Sequence, residues 1–481
     1  MKINYMFSRI DRDKGFNDNQ KKYIKEDIKN DMSITFIASL FGEYERNDTQ
    51  VKEIVNVFKN IDINFKEVHL IDNRVFKEDA YKYYKEKCAL EKMTNVLNIS
   101  NVTVSLFELN GKYNYFYTHN MVKSTGELKL FDLYFIEDNK FILILPTNDE
   151  IIFNFRNKIY ESFREYDSWL KRVDINYVMD LNKLIAGGKI KDFIRKNDIM
   201  IERNLEGIAE DIVSKNKRIV LLAGPSSSGK TTTSKKLSLY LSSLGVNAIP
   251  ISLDDFFLNR NETPVDEYGN KDYESINALD LKLFNEVLTD LMNGNKTYLP
   301  TYNFITGEKE MSTTPIVLNE NDCLVIEGLH GLNPNLISDE YQDLIYKIYI
   351  SPLTPLNVDR HNYVSTTENR LLRRIIRDFR TRGKSGEDSL ASWESVRRGE
   401  EAYIFPYTDS ADAIINTAYT YEIGVLKVYV EPILYSIDIN SKYYNEARRI
   451  IDHLKTFYPI PSEYVREDNL LREFIGGSSF E

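Results

Sequence analysis

The stretch RIVLLAGPSSSGKTT, residues 218–232, decides how the rest of the chain is read. From Arg218 to Ala223 the chain is a short, continuous apolar run, the form a strand takes when both faces of a parallel sheet are covered. Gly224 to Thr231 then fits G-x-x-x-x-G-K-[ST] at every position, and a helix is expected from about Lys230 to Leu244. Backbone N–H groups of such a turn, with the positive end of the following helix, cradle phosphate oxygens. Gly224 and Gly229 permit a close approach that a Cβ would block. Ser226, Ser227, Ser228 and Thr232 contribute further loop and helix-start N–H groups. Lys230 brings a point charge to the β/γ-phosphates, and the Thr231 hydroxyl is a ligand for Mg²⁺. A chance Gly/Ser turn would not be bracketed by this strand and this helix.

Working outward, further strands are expected at 247–252, 322–326, 345–350 and 413–416, with helical patterns between them, notably 278–293 ending at Gly294. Strands alternating with helices predict an α/β parallel sheet covered on both faces, here over residues 215–420. Residues 161–214 read as a helical connector with a break at Gly187-Gly188. Residues 1–160 read as an α+β region, with strands at 32–40, 102–106, 129–136 and 141–145 and helices at 49–60 and 78–97. Residues 421–481 read as a helical extension with Pro432 interrupting one helix.

The chain has 481 residues, too many for one ordinary core. Its hydrophobic and charged fractions, 42% and 28%, are those of a globular chain. No apolar run approaches the roughly 20 residues that span a bilayer, and the first residues lack the apolar core of a secretory signal. Two cysteines, Cys88 and Cys323, exclude a disulfide framework and a Cys-rich zinc site, and a reducing cytoplasm is expected. The net charge of −11 argues against a general nucleic-acid binder.

Ligands of open α/β sheets sit beyond the carboxyl ends of the strands, and two acidic sites fall there. Asp254-Asp255 follows the strand at 247–252; Glu327 follows the strand at 322–326. One carboxylate near the γ-phosphate can accept the proton of an attacking hydroxyl, and another can hold Mg²⁺. Asp is also a frequent cap, the plainer reading of Asp255. Arg370, Arg373, Arg374 and Arg377 recur at i, i+3, i+4 and i+7, one face of a helix, with Arg380 and Arg382 beyond. Such a stripe repels itself unless anions or carboxylates face it, and phosphoryl transfer needs such groups. The counter-charges near at hand are Glu368, Asp378, Glu387 and Asp388. Gly383 and Gly386 give the stripe's end the character of a lid.

Taken together, these pieces resemble uridine kinase and phosphoribulokinase, the P-loop enzymes that phosphorylate ribosyl hydroxyls. The matching stretches are GPSSSGKTT, SLDDFF (252–257), DYESINALD (272–280), LPTYNF (299–304), VIEGLHGLNP (325–334), RLLRRIIRDFRTRG (370–383) and FPYTDSADAIIN (405–416). SWESVRRGEE (392–401) and LLREFIGGSS (470–479) resemble a bacterial subgroup whose N-terminal region is similar to the editing-like domain of threonyl-tRNA synthetase. TGELKLFD (125–132) carries that second resemblance, but the H-x-x-x-H pair of a working editing site is missing, and His69 and His119 stand alone.

The resemblance implies a P-loop NTPase sheet, ATP with Mg²⁺ as cofactors, and a small-molecule acceptor, nucleoside or sugar. It leaves a homo-oligomer open. It makes Asp254 the base, places Glu327 near magnesium, and puts Glu274 on the ribose hydroxyls. Tyr302 and Phe304 would lie against the base, and Arg373, Arg377 and Arg382 in the lid and triphosphate region. His330, just after Glu327, and Arg373 are further candidates for contacting the acceptor. Two positions depart from the pattern: the base-reading histidine is replaced by Thr306-Gly307, and the sugar carboxylate is Glu instead of Asp. A sugar-phosphate kinase and a regulatory or RNA-associated ATP-binding protein of low turnover are the competing expectations.

Overall fold

The computed structural model describes residues 71–98, 102–109, 112–114, 132–136, 140–144 and 155–480, apart from 266–268, 270, 305, 360 and 361. The strand and helix expected at 32–40 and 49–60, His69, His119, and all of TGELKLFD except Asp132 lie outside them. The chain divides into two compact units, Met1–Phe155 and Arg156–Glu481.

In the first unit, β1 (Ile71–Phe76), β2 (Thr103–Leu109) and β3 (Lys112–Asn114) form an antiparallel sheet in that order. The single helix expected at 78–97 is two, α1 (Lys77–Glu86) and α2 (Leu90–Asn98). Between them Cys88 adopts a positive φ of 53°, a conformation that a continuous helix excludes. Ala80, Tyr84 and Val96 pack with Val104 and Leu106 into a small core. A separate hairpin joins β4 (Asp132–Ile136) and β5 (Lys140–Ile144).

The second unit begins with three helices, α3 (Asn157–Arg172), α4 (Val178–Ala186) and α5 (Ile190–Ser214). Then come β6 (Ile219–Ala223), α6 (Lys230–Ser243), β7 (Ala248–Ser252), α7 (Leu281–Met292), and the hairpin β8 (Pro300–Asn303) and β9 (Glu308–Met311). The chain continues through β10 (Cys323–Gly328), β11 (Ile345–Ser351), α8 (Thr366–Thr381), α9 (Gly386–Tyr403) and β12 (Ala413–Asn416). It closes with α10 (Glu422–Tyr435), α11 (Tyr444–Leu454) and the short α12 (Arg472–Ile475).

Five strands pair in parallel in the order β12-β11-β6-β10-β7. The fully buried run of β6 takes the centre, with Leu222 in register with Glu327 on β10 and Ile348 on β11. Pro250 is confined to β7, an edge strand that pairs only with β10 and can spare an N–H. Ile219, Leu221, Ile251, Leu324 and Ile326 pack under Phe284, Leu288 and Leu291 of α7, whose start is capped by Asp280. Each such side chain contributes roughly 1.5–3 kcal/mol of burial. α10 runs three residues past Pro432, contrary to the expected interruption; the residue four before it, Val428, is half-exposed, so its carbonyl can turn to water.

The helices before β6 are fastened to the sheet by a buried polar network. Asn197 Oδ1 accepts the Thr420 N–H at 2.9 Å, and Tyr166 Oη donates to the Ala418 carbonyl at 2.8 Å. The stretch expected as a connector is thus one body with the sheet, and so is the C-terminal extension. Asn197→Ala removes the bonds to the Thr420 N–H and to the Tyr166 hydroxyl, leaving that N–H only its longer contact with Tyr166 Oη at 3.2 Å. The expected loss is about 1–3 kcal/mol, read as a lower urea midpoint for the whole unit. An unchanged midpoint would mean the helices hang free of it.

Candidate active site

The phosphate loop sits at the carboxyl end of β6 and is held from behind by its carbonyls. Arg370 Nη1 donates to the Ser226 carbonyl at 3.2 Å, Arg373 Nη1 to that of Ser227 at 3.4 Å, and Thr417 Oγ1 to that of Ser228 at 2.7 Å. With its carbonyls turned back, the loop can turn N–H groups toward the mouth, although those of Ser226 and Ser228 are taken by Glu400 and the Pro225 carbonyl. Its backbone is that of an anion cradle: Ser227 has φ +59°, and Gly229, the residue before α6, has φ +87°. A Cβ on Gly224 would come within 2.4 Å of the Ile350 carbonyl oxygen, so this position admits no side chain.

At the mouth, Thr231 Oγ1 donates to Glu327 Oε1 at 3.0 Å, and Ser252 Oγ donates to the same oxygen at 3.1 Å. Glu327 is the penultimate residue of β10, inside the strand instead of just after it. Burial pushes its carboxyl well above the usual range, and the charge of Asp254 adds to this; Lys230 and the Thr231 hydroxyl oppose them. Lys230 Nζ donates to the Pro225 carbonyl at 3.3 Å. Asp254 lies in the single turn Leu253–Phe256 that follows β7. Its neighbour Asp255 is committed elsewhere, accepting the Tyr302 N–H at 3.1 Å and so fixing β8. That leaves Asp254 as the carboxylate free to face the loop.

Glu274 follows a turn in which its own N–H bonds Asp272 Oδ1 at 3.1 Å. Burial of its carboxyl, then the charge of Glu400, push it up to about 7, against the pull of Arg374 and Lys230. Its Cβ lies where a side chain on Gly399 of α9 would begin, 2.3 Å from an ideal Cβ there. Tyr302, Phe304 and Phe257 form an edge-to-face cluster with centroids 5.2–6.5 Å apart. His330 is buried, and burial lowers it to about 4, so the imidazole is neutral at ordinary pH. Its Nδ1 and the Tyr302 hydroxyl are buried without a hydrogen-bond partner among the described residues.

The arginine stripe divides. Arg377 donates twice to Asp378 Oδ1, at 3.0 and 2.8 Å, and Arg374 and Arg382 lie 3.4 and 3.7 Å from that carboxylate. Arg374 also donates to Ser226 Oγ at 2.8 Å, and the Arg382 guanidinium stacks 5.0 Å from the Phe304 ring. Arg377 is held by Asp378, and Arg382 reaches the aromatic cluster. Arg373 is fully buried, with Nε donating to Glu422 Oε2 at 2.7 Å and Nη2 to the Thr417 carbonyl at 2.8 Å. Those partners consume its donors, so the expected acceptor contact is corrected to a support beneath the loop.

Two glutamates were missed. Glu400, fully buried on α9, pairs with Arg370 through both oxygens and accepts the Ser226 N–H at 3.1 Å. Glu422 anchors Arg373. The signal was present, since four arginines on one helical face demand counter-charges. The partners, however, stand 30 and 49 residues from Arg370 and Arg373, and only the near acids were in view.

Magnesium is held by hard oxygens, few of them from protein. The adjoining Thr231 hydroxyl and Glu327 carboxylate match that donor set, and the N–H cradle beside them matches a polyphosphate. Among the described residues no cluster of three or more His, Cys, Asp or Glu side chains could hold a metal. A magnesium site completed by phosphate and water needs none.

This sheet order with a phosphate loop after its central strand is the fold of a P-loop phosphotransferase. Residues 219–423 match the phosphoribulokinase / uridine kinase family, and the chain belongs to it. It is 30% identical over 200 residues to a uridine kinase of Macrococcus caseolyticus, covering 41% of this chain and 86% of that one. It is 27% identical over 196 residues to a uridine kinase of Halobacterium salinarum, covering 40% and 77%. Among solved structures, a D-glycerate 3-kinase from Cryptococcus neoformans is similar at a TM-score of 0.30 and 18% identity, covering 43% of this chain and 86% of that one. The family match lies in the second unit, and the expected likeness of the N-terminal region to threonyl-tRNA synthetase finds no support in it. Among the described residues no helix is long and apolar enough to cross a membrane.

If Arg373 supports the loop, Arg373→Gln leaves Glu422 buried and unpaired, at a cost of about 3–5 kcal/mol. Denaturant unfolding should register that loss. Undiminished stability with a raised KM for the acceptor alone would restore the substrate contact.

Proposed function

We propose that this chain transfers a phosphoryl group from Mg-ATP to a hydroxyl of a nucleoside or related ribosyl compound. The observation that carries the reading is the convergence of Thr231, Ser252 and Glu327 within 3.1 Å at the ends of β6, β7 and β10, with Lys230 and Asp254 close enough to act on the Glu327 carboxyl. Magnesium, when bound, neutralises charge on the phosphates. Thr231 and Glu327 hold it, and the loop's N–H groups with Lys230 grip the β- and γ-phosphates. Asp254 takes the proton of the attacking hydroxyl. Glu274 accepts hydrogen bonds from neighbouring acceptor hydroxyls, and the Tyr302–Phe304–Phe257 cluster offers a ring or apolar face a surface to rest on. Arg377 and Arg382, gathered by Asp378, neutralise charge on the transferring group from the lid. The cytoplasm is the proposed location, and a small molecule, not a nucleic acid, the proposed partner.

The base is read weakly. Where the resemblance places a histidine, the β8–β9 turn carries Thr306-Gly307. Gly307 has φ +77°, and the Arg260 side chain packs where a Cβ would stand, within 2.6 Å. Stacking discriminates far less than hydrogen bonds to base edges, so several acceptors should be used with similar efficiency. The Arg382 guanidinium over Phe304 favours one alternative, a phosphorylated sugar as acceptor. A comparison of kcat/KM across nucleosides, sugars and sugar phosphates decides. A thousandfold preference for uridine would overturn the weak base reading, and ATP binding without turnover on any acceptor would overturn the enzyme.

Asp254→Asn should retain ATP binding and lower kcat about 10²–10⁴-fold; if Asp255→Asn alone does so, the base is misassigned. Lys230→Ala should abolish transfer in a protein that still unfolds cooperatively. The raised Glu274 carboxyl predicts a pH limb: as pH falls through about 7 it takes up a proton and loses acceptor capacity. kcat/KM for the acceptor should therefore fall below pH 7, and Glu274→Gln should remove that limb. A profile flat to pH 5 in the unaltered protein would refute it.

A further inference from the structure

One flank of the phosphate loop is covered by a segment of this chain beyond residue 423, where the family match ends. Leu470 packs so tightly on Gly229 that a Cβ there would lie 2.4 Å from Leu470 Cδ1. Three residues on, Glu473 Oε2 accepts hydrogen bonds from the Thr232 backbone N–H at 3.3 Å and from Thr232 Oγ1 at 2.7 Å. The same segment is tied down on both sides. The Phe474 carbonyl accepts from Arg380 and the Phe480 carbonyl from Lys235, each at 2.6 Å. Its root is fixed by buried Asn469, whose Nδ2 donates to Asp198 Oδ1 and Tyr421 Oη, each at 3.0 Å.

What Glu473 occupies gives the contact its meaning. The first N–H groups of a helix have no partner within it, and in this motif they serve the α- and β-phosphates. A carboxylate suits that position for the same reasons a phosphate does: it is anionic, accepts several hydrogen bonds, and is favoured by the positive end of α6. The two cannot share one N–H, and their charges repel. Glu473 also helps to raise the Glu327 carboxyl, after burial and Asp254, so its charge is felt at the metal position too.

We propose that Glu473 is a tethered competitor for nucleotide phosphate. The segment Leu470–Phe480 lies closed on the loop with its carboxylate on the Thr232 N–H, and that carboxylate withdraws when a nucleotide docks. Asn469 stays as the anchor, and the family's loop acquires a threshold for nucleotide set by this chain's own tail. The inference rests on the kinase reading only in taking the loop as a nucleotide site.

The test is calorimetric titration of the full chain with ATP, without acceptor, for the unaltered protein and for Glu473→Gln, Glu473→Asp and Glu467→Gln. Gln removes the charge, and Asp is one methylene too short to reach Thr232. Both should bind ATP more tightly, on the order of tenfold. Glu467 is exposed just before the Leu470–Phe480 segment, so Glu467→Gln removes an equal charge without the contact and should match the unaltered protein. Thermal unfolding confirms that each variant is folded, and should one Glu473 variant not fold, the other carries the test. Equal or weaker binding by the Glu473 variants overturns the proposal, and so does equal tightening in Glu467→Gln, which would assign the effect to the general field. If none of the four proteins binds ATP, it is the kinase reading beneath the proposal that falls.

Discussion

The grip of α8 and the β12–α10 turn on the carbonyls of the phosphate loop is the constraint on which the site depends. A peptide unit cannot present its N–H to a ligand unless its C=O is satisfied on the other side. Arg370, Arg373 and Thr417 meet the carbonyls of Ser226, Ser227 and Ser228 in turn. Two buried guanidinium groups so close to a site for anions would be costly alone. Glu400 and Glu422 neutralise them, and Glu422 reaches Asn369 as well.

Buried ion pairs of this kind are weak evidence for stability, because desolvation offsets much of the attraction. Apolar residues of similar volume could fill the same space. They could not orient three consecutive carbonyls, and that geometric role explains charged side chains at almost no exposure. The same reasoning separates the arginines of α8 by depth. Arg370 and Arg373 are spent on the loop, whereas Arg377 and Arg382 share Asp378, from which an incoming anion can draw them away.

The site is also gripped by α9, inside the family match, and by a segment beyond it, which gives it an uneven surround. Helix α9 touches both halves: Glu400 bonds the Ser226 N–H, Gly399 makes room for Glu274, and the Tyr403 hydroxyl donates to Asp272 at 3.3 Å. A shift of α9 would therefore be felt by the phosphate loop and the acceptor segment at once. On the opposite flank the Leu470–Phe480 segment closes over the start of α6. The Tyr302–Phe304–Phe257 cluster is the more open part, with Phe304 44% exposed.

The sequence by itself determined the sheet and the loop. A continuous apolar run admits only a buried strand, and G-x-x-x-x-G-K-T admits few backbones. The acids at strand ends, Asp254 and Glu327, follow from where parallel strands must deliver their ligands. Local pattern also placed β7, β11 and β12 and the start of α6 within a residue or two. Tertiary structure alone decided what the arginines are for, since Glu400 and Glu422 are near α8 only once the sheet has formed. It likewise joined residues 161–214 and the C-terminal extension to the sheet, through Asn197, Tyr166 and Asn469, whose partners lie more than 200 residues away for the first two and 271 for the bond from Asn469 to Asp198. Periodicity reports how a residue relates to its own helix or strand. It carries no record of which distant carboxylate will meet a buried charge, and that is where this site's geometry was made.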